Sequence, residues 1–431
     1  MSEPTIIPRS QRLADARRYI LIGVGVCLAL LIIGMFLEPH RWFQPIGPRG
    51  PEHEPSGGLA QFFRSWLVAW FFWWGVSLGS MGLIMMHYLL GGGWGYLIRR
   101  FGEAAACCVP VMAVLFIPVI LGVKFIYPWA VPEIVAHDGV LQHKAIWLNF
   151  PAWVLRALGY FVIFTLMAWL LRVWSKDLDQ AFTPRKLKNL VNISAIGEVI
   201  YFVIMTLAAV DWVMSREPHW ISTVYGFIVV MAQAISGLCV LILLLAWYGD
   251  EPPLKDVADP KFVNDLGSVL ITFVILWAYM SFGQFLITWL GNSQDEISWY
   301  IRRTDGGWWW VGAALIAFHF LVPFILLLMR PIKRKLGRLS LVCGGLLVMR
   351  FVEALDWVSA ADTHDPNYWG VANGIYAQFM NVIAWLAVGG LWFLAFLWFL
   401  KDAPILPVGD RIPVIPVDHG HGQRPLPATV E

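Results

Sequence analysis

Ten apolar runs, each long enough to cross a bilayer, constrain the fold of this chain more than any other feature. They cover about residues 18–37, 62–90, 103–127, 149–172, 190–213, 222–247, 267–290, 309–330, 340–360 and 378–400. A transmembrane helix needs about 20 predominantly apolar residues, because its backbone polar groups must be satisfied within the helix. With 58% hydrophobic and only 14% charged residues, the sequence predicts an all-α integral membrane protein with about ten transmembrane helices.

Composition narrows the function classes. The chain has 31 Lys and Arg against 29 Asp and Glu, so it lacks the basic excess of nucleic-acid-binding proteins and we predict no nucleic-acid partner. Its five cysteines lie in apolar runs and form no CxxC pair. Covalent haem and cysteine-ligated iron–sulfur clusters need such spacings. We therefore predict that this chain binds no metal or haem, and that any redox centres belong to partner chains.

The basic residues predict the orientation of the helices. Lys and Arg are concentrated in segments 172–188 and 330–338, which lie on the same side as the N-terminus if all ten runs span the membrane. Such basic loops stay in the cytoplasm. The run 20–37 follows several arginines and has no small-residue cleavage site after it, so we interpret it as a retained helix. The prediction is a multi-pass protein with both termini in the cytoplasm.

Two pairs of similar short segments predict an internal repeat. Asp211-Trp212 is matched by Asp356-Trp357, and segment 124–129 resembles segment 284–289. Because four spans return the chain to its starting side, the repeat predicts two parallel four-helix bundles plus two extra helices; a chance match of Asp-Trp pairs is the alternative. The predicted domains are an N-terminal part with the first helix, a first bundle, a second bundle, and a last helix with a cytoplasmic Pro/Gly-rich tail, at residues 1–61, 62–221, 222–377 and 378–431.

Ionisable residues inside the apolar runs are the candidate functional groups. Run 340–360 carries Arg350, Glu353 and Asp356, which share one broad helix face. A charge near mid-bilayer costs roughly 2.5–3.5 kcal/mol, so such groups face a bundle interior and a partner. Either Arg350 and Glu353 form a self-neutralised pair that only locks helices together, or the groups carry protons. The candidates for a proton path are His87, Glu103, Glu198, Asp211, His319, Arg350, Glu353 and Asp356.

A quinol contact is a further hypothesis. A quinol needs an apolar slot with a histidine or carboxylate within hydrogen-bonding distance of its ring oxygen. The candidate contacts are Asp211 with Trp212 and Asp356 with Trp357, near the predicted outer face. The alternative is that these tryptophans are core or interface residues.

One long segment resembles a known family. Trp70–Arg100, which contains the run His87-Tyr-Leu-Leu-Gly-Gly-Gly-Trp-Gly and is followed by Glu103, resembles the NrfD-like membrane subunits of polysulfide reductases. It is more closely similar to the F subunits of bacterial alternative complex III, a quinol:cytochrome c oxidoreductase. The resemblance implies a bacterial inner-membrane subunit packed beside a paralogous NrfD-like subunit, in lipid, with iron–sulfur and c-type haem subunits carrying the electrons. Quinol oxidation would belong mainly to the paralogue, and this non-catalytic chain would provide a proton path.

Three other functions stay open at this point. The chain could be a quinone-binding membrane anchor of a molybdopterin-type reductase, a secondary transporter or a purely structural scaffold. A transporter would be expected to show inverted rather than parallel repeats.

Overall fold

The computed structural model of the protein describes residues 11–37, 57–249, 254, 259–304, 307–360, 371–401 and 406–407. This part of the chain is helical and contains no strand. We number its ten long helices in chain order: α1 Gln11–Leu37, α2 Gly58–Leu90, α3 Gly93–Leu121, α4 Phe150–Gln180, α5 Pro184–Trp212, α6 Tyr225–Tyr248, α7 Pro260–Gly291, α8 Trp308–Leu328, α9 Leu336–Ser359 and α10 Val371–Leu400. Shorter helices in the connections are Val123–Ile126, Pro132–His137, Gly139–Lys144, Gln294–Arg302 and Arg330–Lys333.

The ten predicted spans correspond one to one with these helices, so the predicted all-α membrane fold is confirmed. Within the described residues, nine helices are long and apolar enough to cross a membrane. The exception is α9, because any stretch of it long enough to span contains three charged side chains. Its packing between other helices nevertheless makes it part of the same helical bundle.

The predicted bounds of the third span were wrong. We expected 103–127, whereas α3 begins at Gly93 and ends at Leu121. Gly91 and Gly92 have φ values of 69° and 98°, a region that favours glycine, so the turn after α2 is tight and α3 starts directly behind it. The prolines at 110 and 118 interrupt α3, which consists of the segments Gly93–Ala106, Val109–Val114 and Ile117–Leu121.

Several spans begin with a capping residue followed by proline. Asn149 accepts a hydrogen bond from the backbone N–H of Ala152 at the start of α4, and Thr183 caps α5 in the same way. Asp259 caps α7. A side-chain oxygen satisfies a backbone donor that a helix start leaves open, and proline in the first turn costs nothing because its position needs no donor. These signals place the starts of α5 and α7 before the predicted apolar runs and the start of α4 at the beginning of its run.

The helices form two four-helix bundles around a common centre. In the first bundle α2 contacts α3 and α5, and α4 contacts the same two helices; in the second, α6 contacts α7 and α9, and α8 contacts the same two. The bundles therefore share one cyclic order. Helix α2 also packs along α6, which makes these two the most buried spans, whereas α1 and α10 pack on the side of α2.

Small residues allow α2 and α6 to approach closely. A Cβ at Gly79 would collide with the backbone carbonyl of Gln233, and one at Gly237 would lie 2.6 Å from the backbone nitrogen of Ser80. Close backbone approach through glycine is a usual way for transmembrane helices to pack. The two bundles are thereby joined along their first helices.

The predicted Pro/Gly-rich tail lies outside the described residues except for positions 401, 406 and 407. The two ends of the bundles are distinguished by the helices that start and stop there. At the outer end α5 and α9 finish and α4, α6 and α8 begin, and the inner end is the opposite one. The names "outer" and "inner" correspond to the predicted topology, and the cytoplasmic location of the termini stays a prediction.

Candidate functional site

A cluster of polar side chains lies in the core of the second bundle. Helix α9 places Arg350 and Glu353 one turn apart, and they form an ion pair in which both side chains are almost completely buried. The indole Nε1 of Trp277, on α7, donates a 2.7 Å hydrogen bond to Glu353 Oε1. Arg350 Nε donates to Ser236 Oγ on α6 at 3.2 Å. Three helices of the second bundle therefore hold this pair.

His319 completes the cluster from α8. Its ring is fully buried and lies 4.1 Å from that of Trp277, and its Nδ1 is 3.9 Å from Glu353 Oε2. Neither ring nitrogen makes a hydrogen bond with any residue that the structure describes. A buried polar group without a partner is uncommon and costs free energy, which makes His319 a candidate functional group.

The local backbone explains the position of His319. Residues Leu315–Leu321 form a π-helical segment between the two α-helical parts of α8. Pro323, four residues after His319, has no N–H to offer its carbonyl, so the regular helical pattern is interrupted there. Segments of π-helix inside α-helices occur frequently at functional sites.

The cluster continues toward the outer end through Asp356, one turn beyond Glu353 on α9. Arg303, just after the helix Gln294–Arg302, donates from Nε to Asp356 Oδ2 at 3.1 Å and from Nη1 to Glu217 Oε1 at 3.0 Å. Glu217 also pairs with Arg302, at 3.3 Å, whose side chain is 23% exposed. A series of charged groups therefore extends from the buried His319 cluster toward the outer surface, with a step of one helical turn on α9 between Glu353 and Asp356.

Arg303 is the link in this series. Its guanidinium lies 3.5 Å above the ring of Trp299, and the residue is buried. Burial alone would lower the pKa of Arg303, but the carboxylates of Glu217 and Asp356 raise it above its ordinary value. The group therefore stays charged and bridges two carboxylates at neutral pH.

Asp211, the predicted counterpart of Asp356, has a different environment. Arg156 binds it with both Nε and Nη2, at 2.7 and 2.8 Å. Tyr160 donates to Oδ2 at 2.8 Å and the Trp147 indole donates to Oδ1 at 2.9 Å. Each carboxylate oxygen accepts two hydrogen bonds, so Asp211 has little capacity left for a quinol or another ligand.

The predicted quinol-contact tryptophans are both core residues. Trp212 is fully buried and packs edge-on against Trp70 and Trp74. Trp357 is almost completely buried and contacts the rings of Phe71 and Tyr225. Asp356 retains acceptor capacity that Asp211 lacks, since only one of its carboxylate oxygens has a described hydrogen bond. Quinol contact at this end stays a prediction.

A separate charged cluster lies toward the inner end, between α3 and α4. Glu103 pairs with Arg99 at 3.2 Å and with Arg100 at 2.6 Å, and it accepts a 2.5 Å hydrogen bond from Ser175. Arg100 also pairs with Asp179. His87 lies nearby at the end of α2, with its ring 5.4 Å from that of Trp94. These charges compensate one another locally, which is typical of a structural cluster.

Glu198, near the middle of α5, is not part of any of these clusters. It is partly exposed on the isolated chain and makes no hydrogen bond or ion pair with the described residues. Its only described electrostatic neighbour is Tyr201, whose hydroxyl donates instead to Gln233 at 2.8 Å. Among the acidic residues predicted within the bilayer, Glu198 is therefore the one without a partner.

The structure thus brings together His319, Arg350, Glu353 and Asp356, and leaves the other four predicted path residues apart. Sequence reasoning missed Trp277, Glu217 and Arg303. A signal for Arg303 existed, because its distance along the chain from Arg156 nearly equals that between the two aspartates. We found no comparable signal for Trp277, whose role depends on a contact between distant helices.

Three or more His, Cys, Asp or Glu side chains do not come together as a metal-binding group anywhere in the part of the chain that the structure describes. No family model matches the sequence, and no curated protein matches it significantly.

Proposed function

We propose that this protein is an integral membrane subunit of a quinol:electron-acceptor oxidoreductase complex of the alternative complex III type, and that its second bundle conducts protons. Membership of such a complex rests on the resemblance of Trp70–Arg100. That segment forms the central helix α2 and the start of α3, the most buried part of the fold. The proposal includes a bacterial inner membrane, a paralogous membrane subunit, and iron–sulfur and c-type haem subunits as partners.

The proton path is supported by one observation: ionisable groups extend from the buried His319 toward the outer surface, with one step of a helical turn between Glu353 and Asp356. A path through a membrane requires side chains that can accept and release protons, separated by distances that waters or small motions can bridge. Nδ1 of His319 is 3.9 Å from Glu353, and Asp356 lies one helical turn further out. His319 has no hydrogen bond with the described residues that would hold its protonation state fixed.

Glu353 is the group that would exchange protons with His319. In the structure its charge is held by Arg350 and by the Trp277 indole. An opposite charge favours the ionised carboxylate, so proton uptake by Glu353 requires Arg350 to move or to share its interaction with another group. Ser236 Oγ already provides an alternative acceptor for Arg350. The arrangement supports a path that is gated rather than continuously open.

Variants of the intact complex test this function. The complex is purified, its subunits are identified by mass, and its haem spectrum is recorded. Glu353→Gln and Asp356→Asn are then compared with the wild type in liposomes for quinol-driven turnover and proton movement. We expect both variants to assemble and to lower proton movement by about a hundredfold or more, the lower end of the range typical of a lost proton-transfer group.

Glu133→Gln is the matched control, because Glu133 is exposed in the short helix Pro132–His137, away from the second bundle. It should leave turnover and proton movement unchanged. Wild-type coupling in both Glu353→Gln and Asp356→Asn would contradict the proton path. A purified assembly without haem or iron–sulfur subunits would contradict membership of this type of complex.

A further inference from the structure

The acidic residues predicted within the bilayer differ in one respect. Four of them are paired with arginine, as Glu103 with Arg100, Asp211 with Arg156, Glu353 with Arg350 and Asp356 with Arg303. Glu198 has no arginine and no hydrogen bond among the described residues. Among the described residues, the fold therefore pairs every one of these carboxylates with an arginine except that of Glu198.

Glu198 also lies deep in the membrane. Ten residues separate it from Lys188, the last basic residue of α5, which corresponds to about 15 Å along the helix. The hydrocarbon core is about 30 Å thick, so Glu198 is near its middle. Its side chain is too short to reach either surface, and an isolated carboxyl group at this depth is strongly disfavoured.

The side chain lies at the edge of a helix face that the chain itself does not cover. Ile196 and Val199, two residues before and one residue after Glu198 in the sequence, lie on this exposed face and are 63% and 65% exposed. Ala195 and Asn192, about one and two turns toward the inner end, are also exposed. This face of α5 thus combines two polar residues with a small one. The exposed residues of α4 in the apolar span are instead large and hydrophobic: Leu155, Leu158, Val162, Leu166 and Trp169.

We propose that this face of α5 is the contact surface for a transmembrane helix of another membrane subunit, which presents a hydrogen-bond donor or a cationic side chain to Glu198. The inference rests on the proposed function, in which the chain is one of several membrane subunits. Small residues let helices approach closely in membranes, and polar side chains form hydrogen bonds across such contacts. Ala195, one turn from Glu198, provides the small residue, and Asn192, further along the same exposed face, provides a polar side chain.

The charge of Glu198 selects the kind of partner. A symmetric contact with a second copy of this chain, centred on Glu198, would place two carboxyl groups against each other. Like charges at an interface are unfavourable, whereas a donor or cation on a different chain complements the carboxylate. The occupant is therefore a different subunit with a donor at mid-membrane depth.

Site-specific cross-linking in the intact complex tests this surface. A photo-reactive residue is placed at Val199 or Ala195, and for comparison at Tyr279, which is 73% exposed on α7 of the other bundle. We expect the two α5 positions to cross-link to one membrane subunit, identified by mass, and Tyr279 not to cross-link to it. Cross-links to lipid alone, or equal yields from Tyr279, would overturn the proposal.

Substitution of Glu198 provides a second measurement. Glu198→Leu should leave the thermal stability of the isolated full chain equal or higher, because it removes a polar group from the lipid-exposed face. In the complex it should lower the amount of co-purifying partner by about three- to tenfold, with a smaller loss for Glu198→Gln. Val203→Leu, on the same exposed face, is the control and should retain the partner.

Unchanged partner retention in Glu198→Leu would contradict the role of Glu198. These readouts do not depend on proton movement or turnover. A specific cross-link to a subunit that belongs to no quinol-oxidising complex would therefore disprove the proposed function and leave the contact surface intact.

Discussion

The two aspartates at the outer end of the bundles are a natural comparison, because each lies in the last turn of the fourth helix of its bundle and each pairs with an arginine. Asp211 receives two bonds from Arg156 and one each from Tyr160 and Trp147. Asp356 receives one side-chain bond from Arg303, which is shared with Glu217. Both carboxylate oxygens of Asp211 are saturated with hydrogen bonds, whereas Asp356 is linked through Arg303 to a further carboxylate, Glu217.

The two bundles also differ in the residues that lie toward the inner end from each aspartate. Arg350 and Glu353 lie within two turns of Asp356 on α9, whereas the corresponding positions of α5 are Met205 and Ala208. The first bundle is therefore apolar beneath its carboxylate, with Trp70, Trp74 and Trp212 packed together. The comparison teaches that the same Arg–Asp pair can anchor helices in one bundle and belong to a connected polar series in the other.

The largest expected difference is in stability. Asp211→Ala leaves Arg156 without its partner, and breaking a largely buried ion pair in this way costs about 3–5 kcal/mol of unfolding free energy. Asp356→Ala should cost less, about 1–3 kcal/mol, because Arg303 keeps Glu217. Thermal unfolding of the full chain in detergent measures both. An equal or larger loss for Asp356→Ala would show that the second site is the more important anchor.

The next difference concerns single hydrogen bonds. Trp277→Phe removes the only described neutral donor to the buried Glu353, which should cost about 1.5–3 kcal/mol, the value for a bond to a charged group. Tyr160→Phe removes one of four bonds to Asp211 and should cost about 1 kcal/mol or less. The same unfolding measurement ranks the two variants. The reverse order would mean that Glu353 has support other than Trp277.

Substitution of His319 should affect proton movement strongly and the free energy of unfolding only weakly. Because its ring nitrogens make no described hydrogen bond, His319→Leu should change the unfolding free energy by about 1 kcal/mol or less. The same variant should lower proton movement in the complex about a hundredfold or more if His319 carries protons. His319→Gln is the comparison, since it keeps polarity without titrating. Full proton movement in both variants would remove His319 from the path and leave it as a core residue.

Much of the fold could be predicted from the sequence, because apolar run length is a local property that a bilayer converts directly into helices. Several bounds differed by six to ten residues, most of all the start of α3, which came from Gly91 and Gly92, whose tight turn allows a new helix to start at once. The candidate site was harder to predict. Arg350, Glu353 and Asp356 share a face of one helix, so their proximity followed from helical spacing.

The partners of these residues lie on other helices. Trp277, Arg303 and Glu217 reach the site through packing of distant segments, which residue spacing along one helix does not encode. Likewise, Asp211 has little acceptor capacity left because Arg156, Tyr160 and Trp147 together donate four hydrogen bonds to its carboxylate. The repeat indicated that the two aspartates correspond. It carried no information on whether the hydrogen-bonding capacity of each carboxylate is saturated, or on whether each is linked to further charged groups.

The smallest expected effect on stability concerns a contact between two outer loops, formed by Asp138 and His219. His219 Nε2 lies 2.8 Å from Asp138 Oδ2, and His219 is two residues from Glu217, the outermost carboxylate of the series. Burial alone would raise the pKa of Asp138, but the backbone N–H groups of Leu141 and Val140 and the His219 ring hold it below its usual value. A lowered carboxyl pKa in the folded state means that the contribution to stability is complete above the unfolded pKa, roughly 3.9, and is lost as the pH falls through the folded value.

Asp138→Asn should therefore cost about 0.2–1 kcal/mol at pH near 7, the range for a partly exposed pair, and progressively less as the pH falls below about 4. Unfolding of the full chain from pH near 7 to about 3 measures this trend. Glu133→Asn, on the adjoining exposed helix, is the control and should show no such trend. A loss that grows as the pH falls would have the wrong sign and would show that the Asp138–His219 contact does not support the loop that carries Glu217.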